Sequence, residues 1–208
     1  MIFVGTCKKC QEVNELLLEL GFDCVALHSM MSQARRLASL GKFKSHVCRI
    51  LVATDVASRG LDIPQLELVI NLDLPKVTSD YIHRVGRTAR AGKNGRSLSL
   101  VTEHDVLTLT YLLTYAFINE LTHLLSQLFH QVNLVHQIEE YTSHKMELSE
   151  EVTEDEVIKL LNPVTKALRL AQLRLLEVGF NEQVEMFSQR KKESNKKRKR
   201  KLTDDANE

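Results

Sequence analysis

Tyr81-Ile-His-Arg-Val-Gly-Arg-Thr-Ala-Arg-Ala-Gly92 places four cationic or protonatable side chains, His83, Arg84, Arg87 and Arg90, within eight positions and contains no acidic residue. Arg87 and Arg90 are three apart, so on one helical turn or tight loop both guanidiniums can converge on a single anion. A polyphosphate in its transfer transition state is such an anion. A finger-like arginine there is worth about 10³–10⁵ in rate, or roughly 4–7 kcal/mol. Taken alone, the same string also reads as a solvated basic helix end.

Upstream, Ala53-Thr-Asp-Val-Ala-Ser-Arg-Gly-Leu-Asp62 follows an apolar run and contains a glycine at a point where backbone can approach a ligand closely. Together the two strings resemble motifs V and VI of the DEAD-box RNA helicases. Ile2-Phe-Val-Gly-Thr6 is similar to motif IV, and Gln33 with Arg36 and Phe43 fits the family's Gln-x-x-Arg element. Order and spacing agree over residues 1 to about 105. One departure is Ala89, where many relatives carry glycine.

The resemblance implies roles for the matching positions. Arg87 and Arg90 are the arginine fingers on the γ-phosphate of ATP, and His83 bridges to the acidic motif of the other lobe. Asp62 accepts a hydrogen bond from the ATP ribose, with Arg59 and Gly60 shaping its loop. Thr6, Gln33, Arg36 and Thr54 hold the RNA sugar–phosphate backbone, which accounts for binding with little sequence preference. Asp55 adjoins both sets, and its role stays open between structural and functional. Each residue also has a plainer reading. Thr54 can cap a turn, Gln33 can be an exposed helix residue, and Asp62 can pair with Arg59 or Arg84.

The residues themselves, read without the resemblance, give an α/β pattern. Short apolar runs at 1–4, 23–27, 49–53, 68–72 and 97–101 alternate with helical periodicity at 10–20, 32–44 and 79–85. That alternation predicts a parallel sheet covered on both faces by helices, the RecA-like lobe that the resemblance implies. Ligands of such sheets bind at the carboxyl ends of the strands, and the four motifs fall at those ends.

The expected organisation is a RecA-like helicase C-terminal lobe at 1–105, an anomalous apolar insert at 106–131 and a terminal helix at 132–148. A helical extension at 149–189 and a disordered basic tail at 190–208 complete it. The 26-residue insert has no Lys or Arg and one acid. Three readings compete for it. A membrane span fits by length, but Asn119, Glu120 and His123 lie mid-segment and no basic flank anchors it. An extra packed helix is the second. The third, favoured here, is a retained in-frame intron, because the stretch begins with Val (codon GTN, a donor) and ends with Gln (codon CAG, an acceptor). In the extension, Thr153-x-x-Glu156 reads as a capping box for a helix to Leu161, and Pro163 as the opening of a second helix that Gly179 ends.

Charge is unevenly placed. The chain's net +1 divides into +8 over 190–201, −3 over 202–208 and −4 over 1–189. The basic run suggests a nuclear-import signal or an RNA-tethering arm. Cys7-Lys-Lys-Cys10 lacks a second ligand pair at zinc spacing, so no metal is expected and the cysteines are read as small apolar residues. Four cysteines without a pairing pattern, and no secretory leader, point to a reducing compartment.

Within these 208 residues there is no G-x-x-x-x-G-K-[ST] string and no Asp-Glu-Ala-Asp. The expected function is therefore the C-terminal half of an ATP-dependent RNA helicase. Its ATP and Mg2+ are held with the N-terminal RecA-like lobe, and the chain alone has negligible ATPase activity. Expected partners are RNA, that lobe and pre-ribosomal proteins. The basic tail and the Leu27-His-Ser-Met-Met31 context suggest the nucleolar ribosome-biogenesis branch. The alternative is a non-catalytic RNA- or helicase-binding module.

Overall fold

The structure, a computed structural model, describes residues 1–58, 60–64, 66–89, 94–101, 135–143, 145–147, 149 and 152–204. Its strands are β1 (Ile2–Phe3), β2 (Cys24–Leu27), β3 (Ile50–Ala53), β4 (Leu68–Asn71) and β5 (Arg96–Ser99). The helices are α1 (Cys7–Glu19), α2 (Gln33–Lys44), α3 (Asp55–Ser58), α4 (Thr78–Val85), α5 (135–142), α6 (Glu154–Glu177) and α7 (Phe180–Asp204). The strands form one parallel sheet in the order β2-β3-β1-β4-β5. Strand order reverses at β1, and in open α/β sheets the crevice for a ligand opens at such a switch point.

Each strand's composition suits its place. Leu51, Val52 and Ala53 of β3 are completely buried, the continuous apolar run of a strand covered on both faces. Strand β5, Arg-Ser-Leu-Ser, is exposed at its first two residues, as an edge strand tolerates.

Contacts divide the chain into two compact units. The first comprises Met1–Gly5 and Ala53–Val157. Here β1 pairs with β4 in the register Ile2 to Ile70, and β4 pairs with β5 in the register Leu68 to Arg96. Helix α4 is two-faced. Tyr81 packs with Ile138 of α5, joined by Leu74, Ile82, Val85 and Met146, and Thr78 Oγ1 donates to Gln137 Oε1 at 3.2 Å. Arg84, on the other side of the same helix, is buried against the strand ends.

The second unit comprises Thr6–Val52 and Ile158–Glu208. Thr6 caps α1 by accepting from the Lys9 amide at 3.1 Å, which starts that helix at Cys7, three residues before the periodicity suggested. Ser32 caps α2 in the same way. Along α6, Ala167, Ala171 and Leu175 form the buried stripe, and Arg174 makes an ion pair with Glu19 of α1. Phe180, at the start of α7, sets its ring against the edge of His28, with centroids 6.1 Å apart and planes at 79°.

Three expectations change. Residues 154–177 form one helix with Pro163 inside it, where a break after Leu161 was expected. Pro163 removes its own N–H donor, and its ring crowds the carbonyl four residues back. The segment 155–163 is solvent-exposed, so water can serve the carbonyl left without one. Half of the capping box forms: Glu156 accepts from the Thr153 amide, but the Thr153 hydroxyl donates to the same carboxylate, and the Glu156 amide bonds to the Thr153 carbonyl instead. The basic run 190–201, expected to be disordered, lies in α7, which continues to Asp204. No Gly or Pro follows Gly179, and Lys, Arg, Glu and Gln are good helix formers. The short helix α3 has no periodicity of its own and was not anticipated. The insert 106–131 and the first residues of the expected 132–148 helix lie outside the described residues.

His28 supplies a pH prediction. It is buried, its Nε2 meets Gln11 Oε1 at 3.1 Å, and Nδ1 has no partner among the described residues. Burial lowers its pKa to about 4. The unfolded chain therefore binds this proton first as pH falls, and stability present above pH 6.5 drains away towards pH 4. Urea unfolding is expected to lose about 2 kcal/mol more in wild type than in His28→Gln between pH 6.5 and 4.5. Equal losses in the two proteins would contradict this.

Candidate functional site: a crevice at the strand ends

The site is built around the last turn of α4. Its C-terminal residues are held by backbone bonds from the amides of Gly86, Arg87 and Thr88 to the carbonyls of Ile82, Arg84 and Val85, at 2.8, 3.0 and 2.9 Å. Thr88 then turns its hydroxyl onto the Leu66 carbonyl at 2.6 Å. Within the first unit, His83, Arg84 and Arg87 line one crevice with Phe3, Asp55, Ser58 and Asp80. His83 is exposed, Arg87 half-buried and Arg84 only 2% exposed.

Burial divides residues that look alike in the sequence. Arg84 turns inward and Asp55 takes its guanidinium in a fork, with Nε to Oδ1 at 2.6 Å and Nη2 to Oδ2 at 2.7 Å. Such a pair gives geometric specificity as well as energy. Nη1 donates to the Asp73 carbonyl at 2.6 Å and to Asn71 Oδ1 at 3.3 Å, and the guanidinium lies 5.1 Å from the Phe3 ring centroid. Asn71 passes the chain on to Ser99 Oγ at 3.0 Å, and Asp73 Oδ2 accepts from the Gly5 amide at 2.8 Å.

Asp55 therefore has a definite place, and Arg84 is its partner rather than that of Asp62. Asn71, Asp73 and Ser99 are participants that sequence reasoning missed. A buried Asn at the end of an apolar strand was the available signal, since such a group must find a partner.

Of the phosphate-side residues, His83 and Arg87 meet in the crevice. Gly60 and Asp62 are exposed on the loop after α3, where Gly60 has φ +70°, and neither lines it. Arg59 and Arg90 lie outside the described residues.

Of the RNA-side residues, Thr54 in the first unit accepts from the amides of Ala57 and Ser58 through its carbonyl, so it starts α3. Its Oγ1 is buried and has no partner among the described residues. In the second unit, Gln33 and Arg36 lie one turn apart on α2, with Arg36 Nη1 donating to Gln33 Oε1 at 3.3 Å. Thr6 is exposed at the start of α1, its hydroxyl oxygen accepting from Lys9 while its proton remains available to an acceptor.

Two loop positions carry backbone constraints. Ala89 has φ +52°, a region that glycine occupies without cost. Gly95 packs so closely that a Cβ there lies 1.9 Å from Thr88 Oγ1 and 2.4 Å from the Ala89 amide nitrogen. Gly95→Ala is accordingly expected to destabilise the chain by about 1–3 kcal/mol and to shift the Thr88 and Ala89 amide resonances. Wild-type stability and spectra in that variant would refute the close approach.

The Cys7/Cys10 pair is divided between two environments. Cys7 Sγ meets Ser29 Oγ at 3.3 Å, whereas Cys10 is buried and donates to the Val52 carbonyl at 3.3 Å. Burial pushes the Cys10 thiol up to about 12 and that of Cys24 to about 11. Both resist the thiolate form that metal binding or redox exchange requires.

Comparison with known proteins bears on the fold. The family model for the helicase conserved C-terminal domain matches residues 1–92. DEAD-box ATP-dependent RNA helicase 36 of Arabidopsis thaliana is 44% identical over 187 residues, covering 88% of this chain and 32% of that protein. The probable ATP-dependent RNA helicase DDX49 of Homo sapiens is 42% identical over 186 residues, covering 89% and 33%. ATP-dependent RNA helicase dbp8 of Schizosaccharomyces pombe is 42% identical over 182 residues, covering 88% and 34%. Among solved structures, the C-terminal domain of the DEAD-box protein Dbp5 matches with a TM-score of 0.57 at 26% identity, covering 78% of this chain and 80% of that one.

Sheet order, crevice and matches define the class: a RecA-like helicase C-terminal lobe. The chain carries the helicase conserved C-terminal domain over residues 1–92 and is similar over most of its length to DEAD-box ATP-dependent RNA helicases. It spans about a third of the length of the curated relatives it matches.

Proposed function

We propose that this chain works as the second lobe of an ATP-dependent RNA helicase, closing on ATP and RNA held jointly with a first lobe. Arg87, with Arg90, stabilises charge on the γ-phosphate during transfer, and His83 engages the facing lobe. Asp62, with Gly60 and Arg59 in its loop, receives the ribose. Thr54, Thr6, Gln33 and Arg36 contact the RNA backbone. ATP supplies the free energy, and its Mg2+ belongs to the first lobe. Lobe closure bends one RNA strand and separates a short duplex, and phosphate release reopens the cleft.

The observation that carries this proposal is the gathering of His83 and Arg87 in one crevice at the strand ends, with Arg84 buried behind them. The unpartnered Thr54 hydroxyl supports the RNA side, because a buried hydroxyl without a partner is costly and a phosphate oxygen satisfies it. The basic run of α7 and the Leu27–Met31 context lead us to place the protein in the nucleus, in the nucleolar ribosome-biogenesis branch, with pre-ribosomal proteins as partners.

The test is to fuse the first lobe of a DEAD-box relative ahead of Met1 and measure phosphate release with and without RNA. RNA-stimulated turnover by the fusion, and none by either lobe alone, is expected. Robust turnover by the 208-residue chain alone overturns the two-lobe assignment. A fusion that binds RNA without turnover favours a non-catalytic binding module.

A further inference from the structure

We propose that Arg84 is a positioning residue that mechanically joins the RNA-contact turn at Thr54 to the phosphate-contact side chains His83 and Arg87. This rests on the functional proposal above for what those two ends touch, and on the hub geometry for how they are joined. Arg84 commits four N–H donors of its five to Asp55, Asn71 and Asp73. Through them it holds the turn after β3, the carboxyl end of β4 and, by way of Asp73 and Gly5, the turn after β1.

The two ends of this path are short. Asp55 is bonded to Thr54, whose hydroxyl is the buried group without a partner. On the other side His83 is the adjacent residue, and the Arg87 amide donates to the carbonyl of Arg84 itself at 3.0 Å. A fork of two parallel hydrogen bonds cannot slide without losing both. Moving Asp55 therefore turns the guanidinium, and turning the guanidinium moves the helix end that carries His83 and Arg87.

Burial makes the link stiff, since Arg84 is 2% exposed and four of its N–H donors are held by protein acceptors. A purely structural plug would not need this chemistry. Replacing a buried ion pair by apolar side chains of similar volume is often neutral or stabilising. What such side chains cannot supply is a fixed orientation between the loop that meets RNA and the turn that meets phosphate.

The experiment uses the 208-residue chain, uniformly 15N-labelled and titrated with an oligo(U) of about ten nucleotides, within the usual site size for single strands. The readouts are the backbone amides of Thr54 and Arg87 and the Arg84 Nε–Hε resonance. In wild type all three are expected to shift along one saturation curve. In Asp55→Asn, which keeps one acceptor but loses the charged fork, Thr54 is expected to respond while the Arg87 shift falls by more than half.

A Thr54 response with unmoved Arg84 and Arg87 signals in wild type overturns the proposal, and so does a full Arg87 response in a folded Asp55→Asn. Should that variant fail to fold, the wild-type titration still decides, and Arg84→Lys, which cannot form the fork, provides the second comparison. Absence of any Thr54 response in wild type is a different failure. It defeats the RNA-contact assignment itself and removes the ground on which this link was proposed.

Discussion

Arg87→Ala, made in a fusion of this chain to a first lobe, is expected to lower the turnover number for ATP by about 10³-fold or more, with little change in KM. The asymmetry follows from where charge develops. Arg87 lies half-buried in the crevice beside the exposed His83, and under the two-lobe proposal it meets a phosphate only when the facing lobe brings one. Losing an interaction made mainly in the transition state lowers kcat and kcat/KM together and leaves substrate affinity nearly intact.

Arg87→Lys is expected to recover little of the loss, because a point charge on a flexible stem does not reproduce a planar fork. Single-turnover phosphate release separates this from a defect in product release. If Arg87→Ala keeps more than a tenth of wild-type turnover, the finger role is wrong for this residue. The same fusion carrying Arg90→Ala asks the question of the second candidate. The two effects are not expected to add, since the proposal has both arginines act on one phosphate.

How far the sequence reveals this arrangement depends on the physics of each part. β3 and β4 are legible because short apolar runs closed by polar turns leave few alternatives to a buried strand. The placement of Thr54, His83 and Arg87 at strand ends then follows from topology. Gln33 and Arg36 are legible as neighbours because three residues on a helix share a face, and the structure joins them directly.

Arg84 is not legible. In the string His83-Arg-Val-Gly-Arg87 it has the same charge and setting as Arg87. Only the three-dimensional fold reveals that it points inward to a carboxylate 29 positions away. Pro163 misleads for a related reason. Its signal as a helix opener is local, whereas the continuity of α6 is decided by the buried stripe at Ala167, Ala171 and Leu175. The basic run of α7 shows the limit of composition as a guide. Its charge density suggests disorder, yet without Gly or Pro nothing in the backbone opposes a helix that Phe180 anchors beside His28.

Removal of the acid at position 55 has the largest expected effect on stability. Asp55→Ala strands a guanidinium that is 2% exposed and has lost both arms of its fork. Breaking a buried pair from one side usually costs about 3–5 kcal/mol. The Asp55 side chain is 23% exposed, so solvent enters and the lower end, about 3 kcal/mol, is expected. For a chain of this size that lowers the melting midpoint by roughly 6–12 °C.

Two further variants separate the charge from the packing. Arg84→Met in the Asp55→Ala background removes the stranded charge, and it is expected to regain at least half of the lost stability because Met fills the space against Phe3. Arg84→Met alone leaves Asp55 without its partner but with access to water, so it should cost less than Asp55→Ala. The coupling free energy from this cycle should exceed about 1 kcal/mol. If the double variant is as unstable as the sum of the singles, the pair contributes nothing as a pair. The fork between α4 and the turn after β3 would then be a contact without energetic consequence, and the stiffness required of Arg84 as a hub would be lost with it.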